Sequence, residues 1–483
     1  MKQRMQKKSL KLNYLFNVAY QILLLIVPLI TTPYISRVLG AEGIGEYSYT
    51  YSIVCYFLLI ANMGTVTYGQ RAIAYYQDDI DKRSVQFFEI FCFRVLSSLM
   101  CMVAYGCFCI THFSVINIAQ GIYLIATLFD ISWLFQGMEN FRQIVFKNAL
   151  VKVISVALIF LLIKRSGDLI KYCLILSVSV LIGNLSLWPY LTQYIHTVSL
   201  KAIHPFSHMK DIVLLFLPTV ATQVYTVLDK TMLGTLATGM AENGYYEQSE
   251  KIVRMALAIV TAFGAVMIPR IAQVYADGNN EQLQQYLGKS FNFAWILSCP
   301  IMFGIMGISK LFVPVFYGPG YEKVEILLPL YSCLIIPVAL SNVVGCQYLI
   351  PTKQQNVYTL AVSISAVCNL CMNAILIPRF YSVGAAAASV IAEYIGIIVM
   401  LFYLYKCSHL KVSNIFLTAK KYIIAGLLMF VLVRGCASIL PASAVSVGVL
   451  VGVGGGTYFL ALVLLKDTFL ISNFQFVWKK IRK

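Results

Sequence analysis

At 483 residues, 59% hydrophobic and only 12% charged, the chain has the profile of a polytopic membrane protein and not of a soluble enzyme. A formal charge of +17 invites nucleic acid as a partner, but the basic residues lie mostly between apolar runs and at both ends, where membrane topology accounts for them. The 13 cysteines sit mainly inside apolar runs, as Cys101, Cys107 and Cys109 do, so they outline no disulfide framework.

Met1 to Lys11 is basic and precedes a long apolar run that holds Asn13, Asn17 and Gln21 and has no small-residue cleavage site. It reads as a first span and not as a signal peptide. Spans are expected at roughly 12–36, 43–64, 86–110, 118–138, 146–163, 169–192, 211–236, 249–275, 288–313, 324–350, 357–378, 384–406, 419–438 and 443–466, an all-α polytopic chain of about fourteen transmembrane helices. With the N-terminus inside, most of the 37 Lys and Arg fall in inner segments, and Arg94, Lys152, Lys230, Lys251 and Arg254 fall inside spans. That asymmetry puts both termini in the cytoplasm.

The first span carries its Asn and Gln at steps of four, then Pro28 and Pro33, so it is a kinked helix interface, a cavity-lining helix, or both. Three close glycines in the stretch from Tyr34 to Tyr47 suit a tight turn, with Arg37 at the outer end of the first span. Tyr68 to Gln86, with Arg71, Asp78, Asp79, Asp81, Lys82 and Arg83, reads as a solvated inner loop. Arg94 and Asp130 fall inside apolar runs. They form a buried pair, or Asp130 is a titratable or substrate-facing group. In the loop from Thr192 to Lys210, His204 and His208 have metal-site spacing, but Pro205 lies between them and no Glu follows His204.

The stretch from Pro218 to Arg254 is the most informative. Thr219, Gln223, Thr226 and Lys230 fall on one side of a membrane-length helix, with Asp229 beside them. A turn at Asn243-Gly244-Tyr245-Tyr246 then leads to Glu250, Lys251 and Arg254. Each charge costs roughly 2.5–3.5 kcal/mol at a bilayer centre, so such groups face an interior or a wet cavity. Glu250 can also hold Arg254 as an i, i+4 pair.

Further on, Gly288-Lys289-Ser290 looks like the end of a phosphate loop, but Leu283 replaces its first glycine, so ATP hydrolysis has no support and no cofactor is expected. Cys368 and Cys371 have metal spacing inside a span and no second pair. Asn369 and Asn373 share a helix face, and Glu393 is an intramembrane carboxylate. Gly448, Gly452 and Gly456 form a small-residue packing ridge. Lys479 to Lys483 would rest on anionic inner-leaflet lipid.

The two halves echo each other. Leu39-Gly40 matches Leu233-Gly234, and Gly45, Tyr47, Ile53 and Val54 match Gly244, Tyr246, Ile252 and Val253, where helix one meets helix two and helix seven meets helix eight. A repeat displaced by six helices keeps its orientation in the membrane, a plan that transporters use.

Pro33-Tyr34-Ile35-Ser36-Arg37-Val38-Leu39-Gly40, Gly43-Ile44-Gly45, Leu228-Asp229-Lys230, Leu233-Gly234 and Gly244-Tyr245-Tyr246 together resemble the Wzx-type polysaccharide flippases of the multidrug/oligosaccharidyl-lipid/polysaccharide exporter superfamily. The resemblance implies two pseudo-symmetric six-helix lobes, at roughly 1–200 and 201–408, and two accessory helices with a basic tail at roughly 409–483. It implies a substrate of oligosaccharide repeat units on undecaprenyl diphosphate, moved from the inner to the outer leaflet of the bacterial cytoplasmic membrane for O-antigen, capsule or exopolysaccharide assembly. It further implies alternating access driven by an H+ or Na+ gradient, and a polysaccharide polymerase and chain-length regulator as partners.

An anionic diphosphate needs cationic groups, and Arg37, Lys230 and Arg254 are the candidates. Gln223, Tyr47 and Tyr246 can serve the glycan, although many of the 31 tyrosines are ordinary interfacial anchors. Asp130, Asp229 and Glu393 are the candidate ion-coupling carboxylates. A multidrug exporter of organic cations and a flippase of cell-wall precursors or teichoic acid are the alternatives. A glycosyltransferase or polymerase would need a large outer loop, whereas the outer connections here are short.

Overall fold

The computed structural model describes the backbone of residues 2–407 and 412–471. Side chains are described for these residues except 2–20, 141–143, 200, 217–219, 221–222, 224–225, 407 and 412–418. The side chains of Asn13, Asn17 and Thr219 and the tail from Lys479 therefore lie outside the described residues. In order, the helices are α1 (Lys2–Asn62), α2 (Thr65–Tyr75), α3 (Ile80–Thr111), α4 (Val115–Leu128), α5 (Ser132–Gly137), α6 (Phe141–Leu162), α7 (Leu169–Leu185), α8 (Met209–Leu236), α9 (Met240–Ala276), α10 (Asn280–Phe316), α11 (Val324–Ser332), α12 (Ile335–Ser341), α13 (Gln355–Cys407), α14 (Val412–Ile439) and α15 (Ala444–Leu464). Among the described residues, eleven helices are long and apolar enough to cross a membrane. The chain forms two compact units, Met1–Gly234 and Thr235–Lys483.

In the first unit, α1 is two helices joined with almost no loop. Gly40 alone leaves the helical region, at φ 71 and ψ 174, a conformation open essentially only to glycine. The expected glycine-rich turn is thus one residue, with Gly43 helical beyond it. A second difference lies at Tyr68, where helix replaces the expected solvated loop. In α2, Thr65, Gly69 and Ile73 are buried at steps of four, a stripe that makes the segment an amphipathic helix. Its buried face joins Phe87, Ile90, Trp133 and Phe135 in one apolar core.

The fourth expected span is interrupted. α4 ends at Leu128 and α5 begins at Ser132, and between them Asp130 accepts the Ser132 N–H at 2.9 Å. Asp79 starts α3 by accepting the Lys82 N–H at 3.1 Å. That bond holds its carboxyl below the usual range.

In the second unit, the tenth expected span is likewise not one α-helix. It comprises α11, α12 and a π-helical segment over Asn342–Leu349, the kind of irregularity that recurs at functional sites. α13 is kinked at Tyr381, with φ 52 and ψ −126. A carboxylate from α9 braces the kink: Glu242 accepts the Ser382 N–H at 3.1 Å and the Ser382 hydroxyl at 2.5 Å, while Lys323 Nζ reaches its other oxygen at 2.6 Å.

Candidate functional site

In the first unit, the second half of α1 packs against the last turns of α8. The Ser52 and Thr231 hydroxyls are 2.9 Å apart, and the Tyr56 hydroxyl is 3.1 Å from Thr231 Oγ1. Gly234 lies so close to the Tyr49 ring that a Cβ there would overlap it. The seam explains why Leu233-Gly234 stands where it does: a small residue lets the helix backbone approach an aromatic face. Asp229 is buried beside this seam and Lys230 is half-buried.

Tyrosines line the same half of α1. The Tyr47 ring lies 5.7 Å from Tyr51 in a stacked arrangement and 5.2 Å from Tyr172 on α7, edge-on. Tyr51 meets Tyr123 of α4 at 5.1 Å, and the Tyr47 and Tyr123 hydroxyls are 3.3 Å apart. Gln120 ties the array down, donating to Thr50 Oγ1 at 2.8 Å and to the Tyr47 carbonyl at 3.3 Å. Such rings offer flat faces and hydroxyls, the two features that pyranose rings engage. Arg37 is exposed, three residues before the Gly40 break.

Of the polar stripe on α8, Gln223 is exposed, while Thr226 is half-buried and donates to the Gln223 carbonyl at 2.9 Å.

Asp130 has a counter-ion. Arg94 is fully buried and reaches Asp130 Oδ2 at 3.0 Å, the Asn62 side-chain oxygen at 2.8 Å and the Thr127 carbonyl at 2.9 Å. The Thr127 carbonyl also accepts the Asp130 N–H at 3.2 Å, so the ion pair is tied to the end of α4.

A second polar hub, centred on Glu89, was not legible in the sequence. Its carboxylate accepts the His204 N–H at 3.0 Å and lies 2.7 Å from His208 Nε2, and His196 N–H donates to Ser84 Oγ at 2.9 Å. Three histidines of the connection before α8 are thus docked on the first turns of α3. The available signal was a carboxylate near the start of the mainly apolar third span, with Ser84 one and a half turns before it.

In the second unit, Arg254 is held by Glu250 on the same helix face, with both Nε and a terminal nitrogen 2.5 Å from Glu250 Oε1. The Arg254 side chain is 51% exposed and that of Glu250 only 4%, so the guanidinium keeps an open edge. Lys251 stands 3.9 Å from Glu247.

Tyr246 is buried, with its hydroxyl 3.4 Å from that of Tyr331 and 3.3 Å from Ser389 Oγ. The network continues through Asn369, which donates to Ser389 at 3.3 Å and accepts from Asn373 at 3.0 Å. Glu393 is half-buried on the second half of α13. The first unit therefore gathers Tyr47, Asp229 and Lys230 on α1 and α8, whereas Tyr246, Arg254 and Glu393 lie on α9 and α13 of the second.

Residues 10–275, more than half of the chain, match the family described as polysaccharide biosynthesis protein. A Shigella dysenteriae protein named "Putative O-antigen transporter" is 22% identical over 401 residues, covering 81% of this chain and 96% of the relative. The protein of the same name from Escherichia coli (strain K12) is 21% identical over 399 residues, covering 80% and 94%.

Among solved structures, the lipid II flippase MurJ in an inward closed conformation has the same fold at a TM-score of 0.70, with 14% identity, 94% of this chain and 99% of that one. An inward-facing multidrug resistance transporter of the MATE family gives 0.63, with 13% identity, 83% and 96%. The eleven apolar helices and these relatives make the protein a multi-pass protein of the bacterial inner membrane. The chain belongs to the polysaccharide biosynthesis protein family.

Proposed function

We propose that the protein is a flippase that moves undecaprenyl-diphosphate-linked oligosaccharide repeat units from the inner to the outer leaflet, by alternating access coupled to an H+ or Na+ gradient. The observation that carries this reading is the α1–α8 seam, where the membrane-length helix that bears Asp229 and Lys230 packs on Tyr49, Ser52 and Tyr56, in the half of α1 that also carries the Tyr47 and Tyr51 rings. Both curated relatives bear the name of O-antigen transporters, which supports the same substrate class.

In this reading Lys230, Arg37 and the open edge of Arg254 serve the diphosphate. Lysine does so as a point charge and arginine as a fork. Tyr47 and Gln223 serve the sugars; Tyr246, expected to join them, is buried and braces the start of α9 through its hydroxyl network. Asp130, Asp229 and Glu393 are the carboxylates proposed for ion coupling, with Arg94 as the counter-ion of Asp130. One charge crossing 100 mV supplies roughly 2.3 kcal/mol, enough to bias a two-state equilibrium by tens of fold. The architecture that goes with this mechanism is fourteen spans, with two six-helix lobes and two accessory helices.

The test is the lipid-linked oligosaccharide pool in cells deleted for this protein and complemented with wild type, Arg37→Ala, Lys230→Ala or Arg254→Ala at matched expression. Inner-leaflet build-up relieved by wild type and not by the variants is the expected result. Relief by every variant removes the cationic site. No build-up, with altered sensitivity to cationic drugs, replaces the flippase with a multidrug exporter.

A further inference from the structure

At one membrane boundary of the second unit, α10 and α14 enclose a cavity of about 630 Å³ whose walls include Lys310, Leu311, Phe430, Val431, Arg434 and Ser438. Its walls change character along the two helices. Closer to mid-membrane the two helices are zipped by small residues: Gly426 sits against the Phe303 ring, and a Cβ on Gly307 would stand 2.9 Å from Val433. Beyond Val433 the α14 wall is built largely of small residues, Gly435, Ala437 and Ser438, which leave the recess open beside Lys310 and Arg434.

Two features mark this cavity. Both cations are exposed, and among the described residues no carboxylate pairs with either. No acidic residue lines the cavity. Lys310 is six residues before the end of α10 and Arg434 five before the end of α14, which puts both within about 10 Å of a helix end, at headgroup depth.

With both termini in the cytoplasm, as the charge asymmetry of the sequence predicts, this is the outer boundary, where Lys and Arg are scarce. A single lysine near a helix end ordinarily snorkels to the interface. Here two cations converge on one recess, flanked by the lipid-facing side chains of Leu427, Val431 and Leu432, which are 46%, 64% and 51% exposed.

We infer that this cavity is a binding site for an anionic phospholipid of the outer leaflet. The phosphodiester lies between the Arg434 guanidinium and the Lys310 ammonium, and an acyl chain runs down the apolar face of α14. The fork of arginine suits a phosphate oxygen pair, and the lysine adds a mobile point charge. Neither the proposed substrate nor its route is required for this assignment.

The experiment is native mass spectrometry of the purified full-length protein titrated with phosphatidylglycerol or with phosphatidylcholine of identical chains. The wild type is compared with the double variant Lys310→Gln/Arg434→Gln and with the charge-matched control Arg270→Gln/Lys289→Gln. Wild type and control should retain one phosphatidylglycerol in preference to phosphatidylcholine, and the Lys310/Arg434 variant should lose that preference by about tenfold, the scale of one to two interfacial charges.

Thermal melting in detergent checks that the variants are folded. An unfolded double variant is replaced by the single variants, each expected to lose part of the preference. Equal binding of the two lipids by wild type overturns the inference, as does a loss no larger than that of the control. Displacement of phosphatidylglycerol by equimolar undecaprenyl diphosphate also overturns it, because the site would then belong to the substrate.

Discussion

Arg94 is the residue on which the interior of the first unit depends most directly. Its guanidinium is completely buried and serves Asp130, Asn62 and the Thr127 carbonyl together. Removing one partner of a buried pair leaves the other charge uncompensated, so Arg94→Met should destabilise the protein by about 3–5 kcal/mol. Adding Asp130→Asn should restore part of that loss, read as melting temperature in detergent. Recovery of stability without recovery of transport would assign Asp130 a role in transport as well as in structure. An equal loss in the double variant would mean that the pair is not what couples the two sites. The sequence showed two opposite charges in apolar runs and left the pairing open, because residues 36 positions apart meet only through the packing of α3 on α4.

At the level of elements, the informative features are where helices stop. The α1 break depends on one backbone conformation, since Gly40 has open space where a Cβ would go. Any cost of Gly40→Ala is therefore conformational, about 1–3 kcal/mol. Gly43→Ala, in a helical position with Leu39 Cβ at 3.3 Å, should stay within about 1 kcal/mol of wild type because helix propensity favours alanine. Melting of the two variants in the same detergent checks the contrast, and equal losses would mean that the glycine at position 40 is not what sets the break. Sequence periodicity located the helices on either side of the turn and read a loop where one residue suffices. The interruption at Asp130, the amphipathic α2 and the π-helical segment at Asn342 escaped the same reading. Each depends on partners far along the chain: Arg94 for the first, the Trp133 core for the second and, for the third, Gly264 of α9 lying close to Asn342.

For the whole molecule, the alternation of short connections and the bias of Lys and Arg predict an even number of spans with both ends in the cytoplasm. Fluorescent protein fused at either terminus should fold and fluoresce, and alkaline phosphatase fused in the connection between α14 and α15 should be active. A fluorescent N-terminus with an inactive phosphatase fusion there would shift the span count by one. The topology decides the leaflet of the Lys310–Arg434 cavity, so this measurement also fixes the side from which its lipid is drawn.

By itself the sequence determined that the chain lives in a membrane, roughly where it crosses, and which charges are out of place in lipid. Those conclusions follow from local composition, because a bilayer penalises every polar group that is not satisfied within its own segment. Only the tertiary structure decided what those charges do. It paired Arg94 with Asp130 and Arg254 with Glu250, docked the histidine-bearing connection on Glu89, set Tyr47 among three other tyrosines, and left Lys310 and Arg434 facing one recess. The physical reason is range. Hydrophobicity is read residue by residue, whereas an ion pair, an aromatic array or a lipid cleft exists only when separate helices bring their side chains to one place.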